Sequence, residues 1–208
     1  MKIAILTSKN QWFEIYAHDL AERLGGIPVY TNHRDIKQAN DVLFILGYHR
    51  IIEQEILNQN KHNIVTHESA LPKGKGWSPL FWQVLEGEME IPFTMFEASS
   101  VVDKGDIYFQ KNLSLTGYEL NEELREKQAQ LTIQMCLEFV DNYSCHLPPN
   151  KQVGDESFYP KRTLADSELD INKTIKEQFH LLRTVNNQEY PAFFQIDGRK
   201  YKLTIESC

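Results

Sequence analysis

The sequence predicts an α/β fold with a mostly parallel sheet, and three observations carry that prediction. Apolar runs recur at residues 2–7 (KIAILT), 41–46 (DVLFIL) and 62–66 (HNIVT), each with polar neighbours, as buried parallel strands have. Segments of helical spacing alternate with them, the pattern of strand–helix–strand units. With 208 residues, 41% hydrophobic and 25% charged, the chain is long and apolar enough for one sizeable core.

Taken in order, residues 12–24 place Ile15, Ala17, Leu20, Ala21 and Leu24 at helical intervals, and Gly25-Gly26 ends that helix. Pro28-Val29-Tyr30 restarts a strand, and residues 50–58 read as a helix after the 41–46 strand. Pro79 opens a further helix at its first turn, where its missing N–H costs nothing. Residues 92–98 and 106–115 read as two strands joined by SSVVDKG. An amphipathic helix is expected over 117–143, with Thr116 as its cap. The polar, proline-containing stretch 147–155 marks a boundary between a domain at 1–150 and an extension at 151–208. That extension holds an expected helix over 170–185 and a hairpin turning at Asp197-Gly198. It is too small to stand alone and is expected to pack on the first domain.

Composition narrows the function. The formal net charge of −7 disfavours a nucleic-acid partner, which requires clustered lysine and arginine against phosphate. A small-molecule substrate is favoured. No apolar run approaches the ~20 residues of a membrane span, and the N-terminus lacks the features of a secretory signal. Three cysteines without CxxC pairing give no disulfide framework and argue against zinc, so a cytoplasmic protein without a metal is expected.

The candidate chemistry lies in THESALPKGKGWSP, residues 66–79. His67 follows a strand and precedes a proline-braced loop, the position where open α/β sheets bind ligands. A histidine there can act as a base near neutral pH. Alone it reads as a surface or packing histidine. HExxH fails because position 71 is Leu71, the phosphate-loop spacing fails at Trp77, and Ser78 lacks a nucleophile elbow. Asp103, in VVDKGD, alone reads as a turn residue. Together, a carboxylate and an imidazole form a pair in which the first fixes and charge-tunes the second.

These residues carry a family resemblance. HESALPKGKGWSP resembles the HxSxLPxxxGxxP signature of the folate-dependent formyltransferases, and VVDKGDI resembles their VDxGxI turn. The resemblance covers roughly residues 1–140 and implies a Rossmann-like catalytic domain. It implies N-formyl transfer from N10-formyltetrahydrofolate to a primary amine, without metal. His67 would be base or oxyanion support, and Asp103 would orient it. The folate would sit by Gly47, Tyr48, His49, Arg50 and Ile51 and by the turn holding Val101. The family's asparagine, two residues before the histidine, is Val65 here. Asn63, two further back on the same strand face, could replace it if the strand bulges or the substrate sits deeper.

The segments FYPKRTLADSELD, LLRTV and YPAFF resemble the C-terminal part of bacterial sugar-nucleotide N-formyltransferases, closest to the pseudaminic-acid-pathway type. That likeness implies a UDP-linked 4-amino-4,6-dideoxy sugar as acceptor, of use in cell-surface glycan synthesis. Lys73 and Lys75 could then meet a diphosphate, and Gly76 and Trp77 line the sugar or base. Tyr159 is expected to pack the extension, and residues 190–194 to be core. The strand-rich extension is compatible with a homodimer. Two other readings stay open: formylation of a carrier-bound aminoacyl group or other small amine, and a non-catalytic folate- or nucleotide-sugar-binding protein.

Overall fold

The computed structural model describes residues 1–208. The chain opens with β1 (Ile3–Leu6), α1 (Glu14–Arg23), β2 (Val29–Tyr30) and β3 (Val42–Ile45). Then come α2 (Gln54–Leu57), β4 (His62–His67), β5 (Lys75–Gly76) and α3 (Pro79–Glu86). β6 (Glu90–Glu97), β7 (Ile107–Ser114) and α4 (Asn121–Asp141) complete the main body. The extension carries β8 (Phe158–Tyr159), α5 (Phe179–Thr184), β9 (Ala192–Ile196) and β10 (Arg199–Leu203).

Six strands form one mixed sheet in the order β2-β1-β3-β4-β6-β7. The first four are mutually parallel, and β6 and β7 are antiparallel additions. The unbroken apolar runs have a direct cause. Alternate residues of β1, β3 and β4 enter opposite cores, with Ile5, Val42, Phe44 and Ile64 on one face and Ala4, Leu6, Leu43 and Ile45 on the other. α1, α3 and α4 cover the first face. No helix is long and apolar enough to cross a membrane.

Three expected elements differ. The helix expected at 50–58 forms only over 54–57, leaving 50–53 non-helical. α4 begins at Asn121 rather than near Thr116, because Glu119 accepts the Thr116 and Gly117 N–H groups and holds that stretch in a turn. Glu123 then accepts the Leu120 N–H at the helix start. The helix expected at 170–185 shrinks to α5. Asp170 accepts the Asn172 N–H, Glu177 accepts the Thr174 N–H, and Gln178 closes on Asp170. Those polar side chains bond backbone groups in competition with helix formation.

The extension joins the main body through a buried ion pair. Arg183, fully enclosed on α5, donates to the Glu119 carbonyl and meets its carboxylate at 3.0 Å. Lys127 reaches the other Glu119 oxygen at 2.8 Å. Burial opposes the Glu119 charge, but the Lys127 hydrogen bond and then the Thr116 N–H outweigh it and hold the carboxyl down to about 2. Tyr159 packs as expected, its ring stacked on Trp82 and its hydroxyl on Glu86 at 2.7 Å. In the 190–194 stretch, Ala192 and Phe193 are buried whereas Tyr190 is exposed.

Candidate active site

His67 ends β4 at the carboxyl edge of the parallel strands, with its side chain buried. Its Nε2 lies 2.9 Å from the Gly74 carbonyl oxygen. A carbonyl only accepts, so this contact assigns the proton to Nε2 and leaves the Nδ1 lone pair available. The same Nε2 is 3.8 Å from Asp103 Oδ2, so a carboxylate faces the ring nitrogen that carries the proton.

The route of Asp103 to this point is indirect. β6 runs against β4, and the turn after it leaves the sheet beside Asn63, whose carbonyl accepts the Ala98 N–H. The turn folds back toward the end of β4. Asp103 adopts a left-handed backbone (φ 55°), a region Asp tolerates better than most residues. Gly105 is required, because a Cβ there would lie 1.5 Å from the Glu97 carbonyl oxygen.

The extension fixes the pair. Gly76 donates its N–H to Asp103 Oδ2 at 3.0 Å. Gly76 itself is held by the parallel pairing of β5 with β8, through Lys75 N–H to Ser157 and Trp77 N–H to Tyr159. A Cβ at Gly76 would lie 2.4 Å from the Tyr159 carbonyl oxygen, so only glycine permits that approach. Ser157 Oγ accepts the Gly74 N–H at 2.9 Å, and Gln152 donates to the carbonyls of both Asp103 and Gly105. One short run, residues 152–159, thus stitches the loop beside His67 to the turn carrying Asp103. On the sheet side, Thr94 donates to the Ser69 carbonyl at 2.6 Å and braces the start of the loop.

Other expected site residues fall as follows. Asn63 is buried and committed to scaffold bonds: its amide donates to the Leu57 carbonyl at 2.9 Å, and its Oδ1 accepts from Asn60 at 3.0 Å. It therefore does not fill the place of the absent asparagine. The backbone pairing of β4 runs through Val65 without a bulge, and Val65 packs on the apolar face. Lys75 is not a flexible surface charge. Its side chain is enclosed and its ammonium meets Glu156 at 2.9 Å. Lys73 is exposed. Two atoms of the motif stretch, Thr66 Oγ1 and Ser69 Oγ, are buried without a partner.

The loop after β3 lies at the same sheet edge. Tyr48 hydrogen-bonds the His33 ring at 2.7 Å, and the His49 N–H donates to Ser8. Arg50 and Ile51 are exposed, and Val101 projects from the neighbouring turn, half-exposed. Gly47 takes a positive φ. His49 stacks on Trp77 with centroids 6.4 Å apart. Arg125 went unnoticed in the sequence: its guanidinium lies between the Trp12 and Phe81 rings at 4.3 and 4.4 Å. An arginine on an amphipathic helix reads as solvated, and no local signal marks it.

A cavity of about 570 Å³ lies elsewhere, between α4 and β7, lined by Asn112, Lys127 and Gln130 among others. It includes neither member of the pair, so the chemistry of the pair rather than cavity volume locates the site.

The fold recurs in solved structures, two named formyltransferases among them. A methionyl-tRNA formyltransferase from Clostridium thermocellum superposes with a TM-score of 0.82 at 19% identity, covering 100% of this chain and 94% of that one. A 4-N formyltransferase from Francisella tularensis gives 0.73 at 16% identity, covering 99% and 97%. HypX from Aquifex aeolicus, solved with tetrahydrofolic acid, gives 0.78 at 18% identity, covering 96% of this chain and 36% of that one. In sequence, residues 29–140 match the formyl transferase family model, more than half of the chain, and the protein belongs to that family. A curated relative, the methionyl-tRNA formyltransferase of Ehrlichia ruminantium (strain Gardel), is 30% identical over 89% of this chain. The chain spans 63% of that relative's length.

Proposed function

We propose that this chain transfers a formyl group from N10-formyltetrahydrofolate to the primary amine of a nucleotide-linked amino sugar. The observation that carries this reading is the His67–Asp103 pair at 3.8 Å, in a chain of the formyl transferase family. The folate supplies the formyl carbon as electrophile, and Ile51, Val101 and the backbone of Gly47, Tyr48, His49 and Arg50 would hold its ring. The amine nitrogen bonds to the formyl carbon, the bond from that carbon to folate N10 breaks, and N10 takes a proton. His67 Nδ1 accepts the proton that the attacking amine loses. Asp103 and the Gly74 carbonyl stabilise the resulting imidazolium through Nε2–H. Residues 1–150 act as the catalytic body and 151–208 as an extension packed on it. Lys73, Gly76 and Trp77 border the acceptor, while Lys75 supports the loop from within.

A second reading has its own support. The curated relative is named a methionyl-tRNA formyltransferase, which favours an aminoacyl amine as acceptor. The formal charge of −7 favours the small acceptor. The deciding experiment measures formyl transfer to a UDP-4-amino-4,6-dideoxy sugar and to methionyl-tRNA in parallel. Turnover of the sugar, reduced about a hundredfold or more in His67→Ala and Asp103→Ala, is expected. Turnover only of methionyl-tRNA replaces the acceptor. Folate binding with no amine formylated would make this a binding protein and end the catalytic reading.

A further inference from the structure

The turn that carries Asp103 starts at the opposite end of β4 from the histidine it serves. It leaves β6 beside Asn63, whereas His67 lies about 13 Å further along β4. Both feet of the turn meet at one carboxylate. In a regular antiparallel ladder, Asn63 and the residue facing it would exchange two backbone hydrogen bonds. Here the Ala98 N–H donates to the Asn63 carbonyl at 2.6 Å, but the returning bond, from the Asn63 N–H, goes to Glu97 Oε1 at 2.7 Å. A side chain thus takes the place of the residue-98 carbonyl, and the chain is free to leave the sheet at that point.

The other oxygen holds the second foot. Glu97 Oε2 accepts the hydroxyl of Tyr108, near the start of β7. Tyr108 is buried, and burial and then the Glu97 hydrogen bond push its hydroxyl well above its ordinary range, so it stays a donor. His62 Nδ1 lies 2.8 Å from the same hydroxyl, and its ring packs edge-on against the Tyr108 and Tyr143 rings. With the Tyr108 proton committed to Glu97, His62 donates from Nδ1. The neck of the turn closes through the Glu97 N–H, which donates to the Asp106 carbonyl at 2.9 Å. Without the carboxylate, the Asn63 N–H has the Ala98 carbonyl as the acceptor a regular ladder offers. That pairing would draw the start of the turn into the sheet and its tip, with Asp103, away from Gly76.

We propose that Glu97 is a positioning residue for Asp103, setting the base of the turn while Gly76 and Gln152 hold its tip. Its purpose rests on the formyl-transfer reading, but the first measurement needs no substrate and so stands apart from whether any amine is formylated. Amide exchange followed by NMR reads the tip directly. The Gly76 N–H is bonded to Asp103, whereas the neighbouring Lys75 and Trp77 N–H groups are bonded to the extension and serve as controls. In Glu97→Ala, Gly76 exchange is expected to accelerate about tenfold or more, as in Asp103→Ala, with Lys75 and Trp77 unchanged. Glu97→Gln should stay within about threefold of the parent. Its amide oxygen still accepts the Asn63 N–H, and its NH2 donates to Tyr108, which then donates to His62 Nδ1. In the formyl-transfer assay, Glu97→Ala is expected to lower kcat about tenfold with KM for the acceptor little changed, and to add nothing in an Asp103→Ala background. Unchanged Gly76 exchange in Glu97→Ala overturns the proposal, and so does equal acceleration of all three amides, which would make Glu97 a general support of the fold. Exchange in Glu97→Gln as fast as in Glu97→Ala overturns the hydrogen-bond account. If Glu97→Ala fails to fold, Tyr108→Phe unties the second foot alone and is judged by the same Gly76 exchange.

Discussion

Lys75 and Glu156 meet at 2.9 Å, one enclosed in the protein and the other two-fifths exposed. Lys104 reaches the same Glu156 oxygen at 3.4 Å, so one carboxylate anchors a lysine from each side of the His67–Asp103 pair. The Lys75 hydrogen bond, and then the charge of Lys104, hold the Glu156 carboxyl below its ordinary value. Removing the carboxylate strands a buried ammonium. Glu156→Ala is expected to lower the melting temperature by about 4 °C or more, read by calorimetry, whereas Lys75→Met should cost less. A Glu156→Ala melting curve that overlays the parent's would refute the anchoring role.

Gln152 touches only the backbone of the turn that carries Asp103, at the carbonyls of residues 103 and 105. In the proposed mechanism it is a positioning residue. Gln152→Ala is expected to lower kcat about tenfold with KM for the acceptor little changed, because a misplaced carboxylate affects the proton step and not binding. Steady-state kinetics check this, and Gln152→Glu should not rescue, since it cannot donate. A rise in KM alone would assign Gln152 to substrate binding.

Glu119 sets an acid limit on stability. Its carboxyl is held at about 2 in the folded chain against an ordinary 4.5, so its contribution is complete above about pH 4.5 and disappears as pH falls through about 2. That contribution is on the order of 3 kcal/mol. Denaturant titrations between pH 6 and pH 2 should show it, and Glu119→Gln should flatten that part of the curve. Glu119→Ala leaves Arg183 buried and unpaired, and a melting temperature lower by roughly 10 °C is expected.

The cysteines divide by burial. Cys145 and Cys208 are exposed, whereas Cys136 is enclosed in α4 and burial pushes its thiol above its ordinary range. A chromogenic disulfide reagent should titrate two thiols in the native chain and a third only after unfolding. Rapid reaction of all three without denaturant would contradict the packing of α4.

Much of this was legible from residues alone, for physical reasons. β1, β3 and β4 were readable because burial on both faces demands continuous apolar sequence. His67 and Asp103 were readable as a pair from two motifs in order. What escaped depends on contacts far along the chain. β5 and β8 have two residues each, too short for any periodicity, and exist only by pairing with one another. Lys75 is internal only because Glu156, 81 positions on, meets it. Asn63 had the right chemistry and strand face, yet its amide is consumed by Leu57 and Asn60. Nothing in the strand pattern marks those neighbours.

The β5–β8 pairing also orders events in time. Gly74 and Ser157 are 83 positions apart, so the sheet strands through β7 emerge from a ribosome well before the segment that aligns His67 with Asp103. The hydrophobic layers can close first, since they need only earlier residues, and long-range closure follows. A nascent chain halted near residue 150 should therefore be structured but chemically silent, its histidine and aspartate present without their common brace.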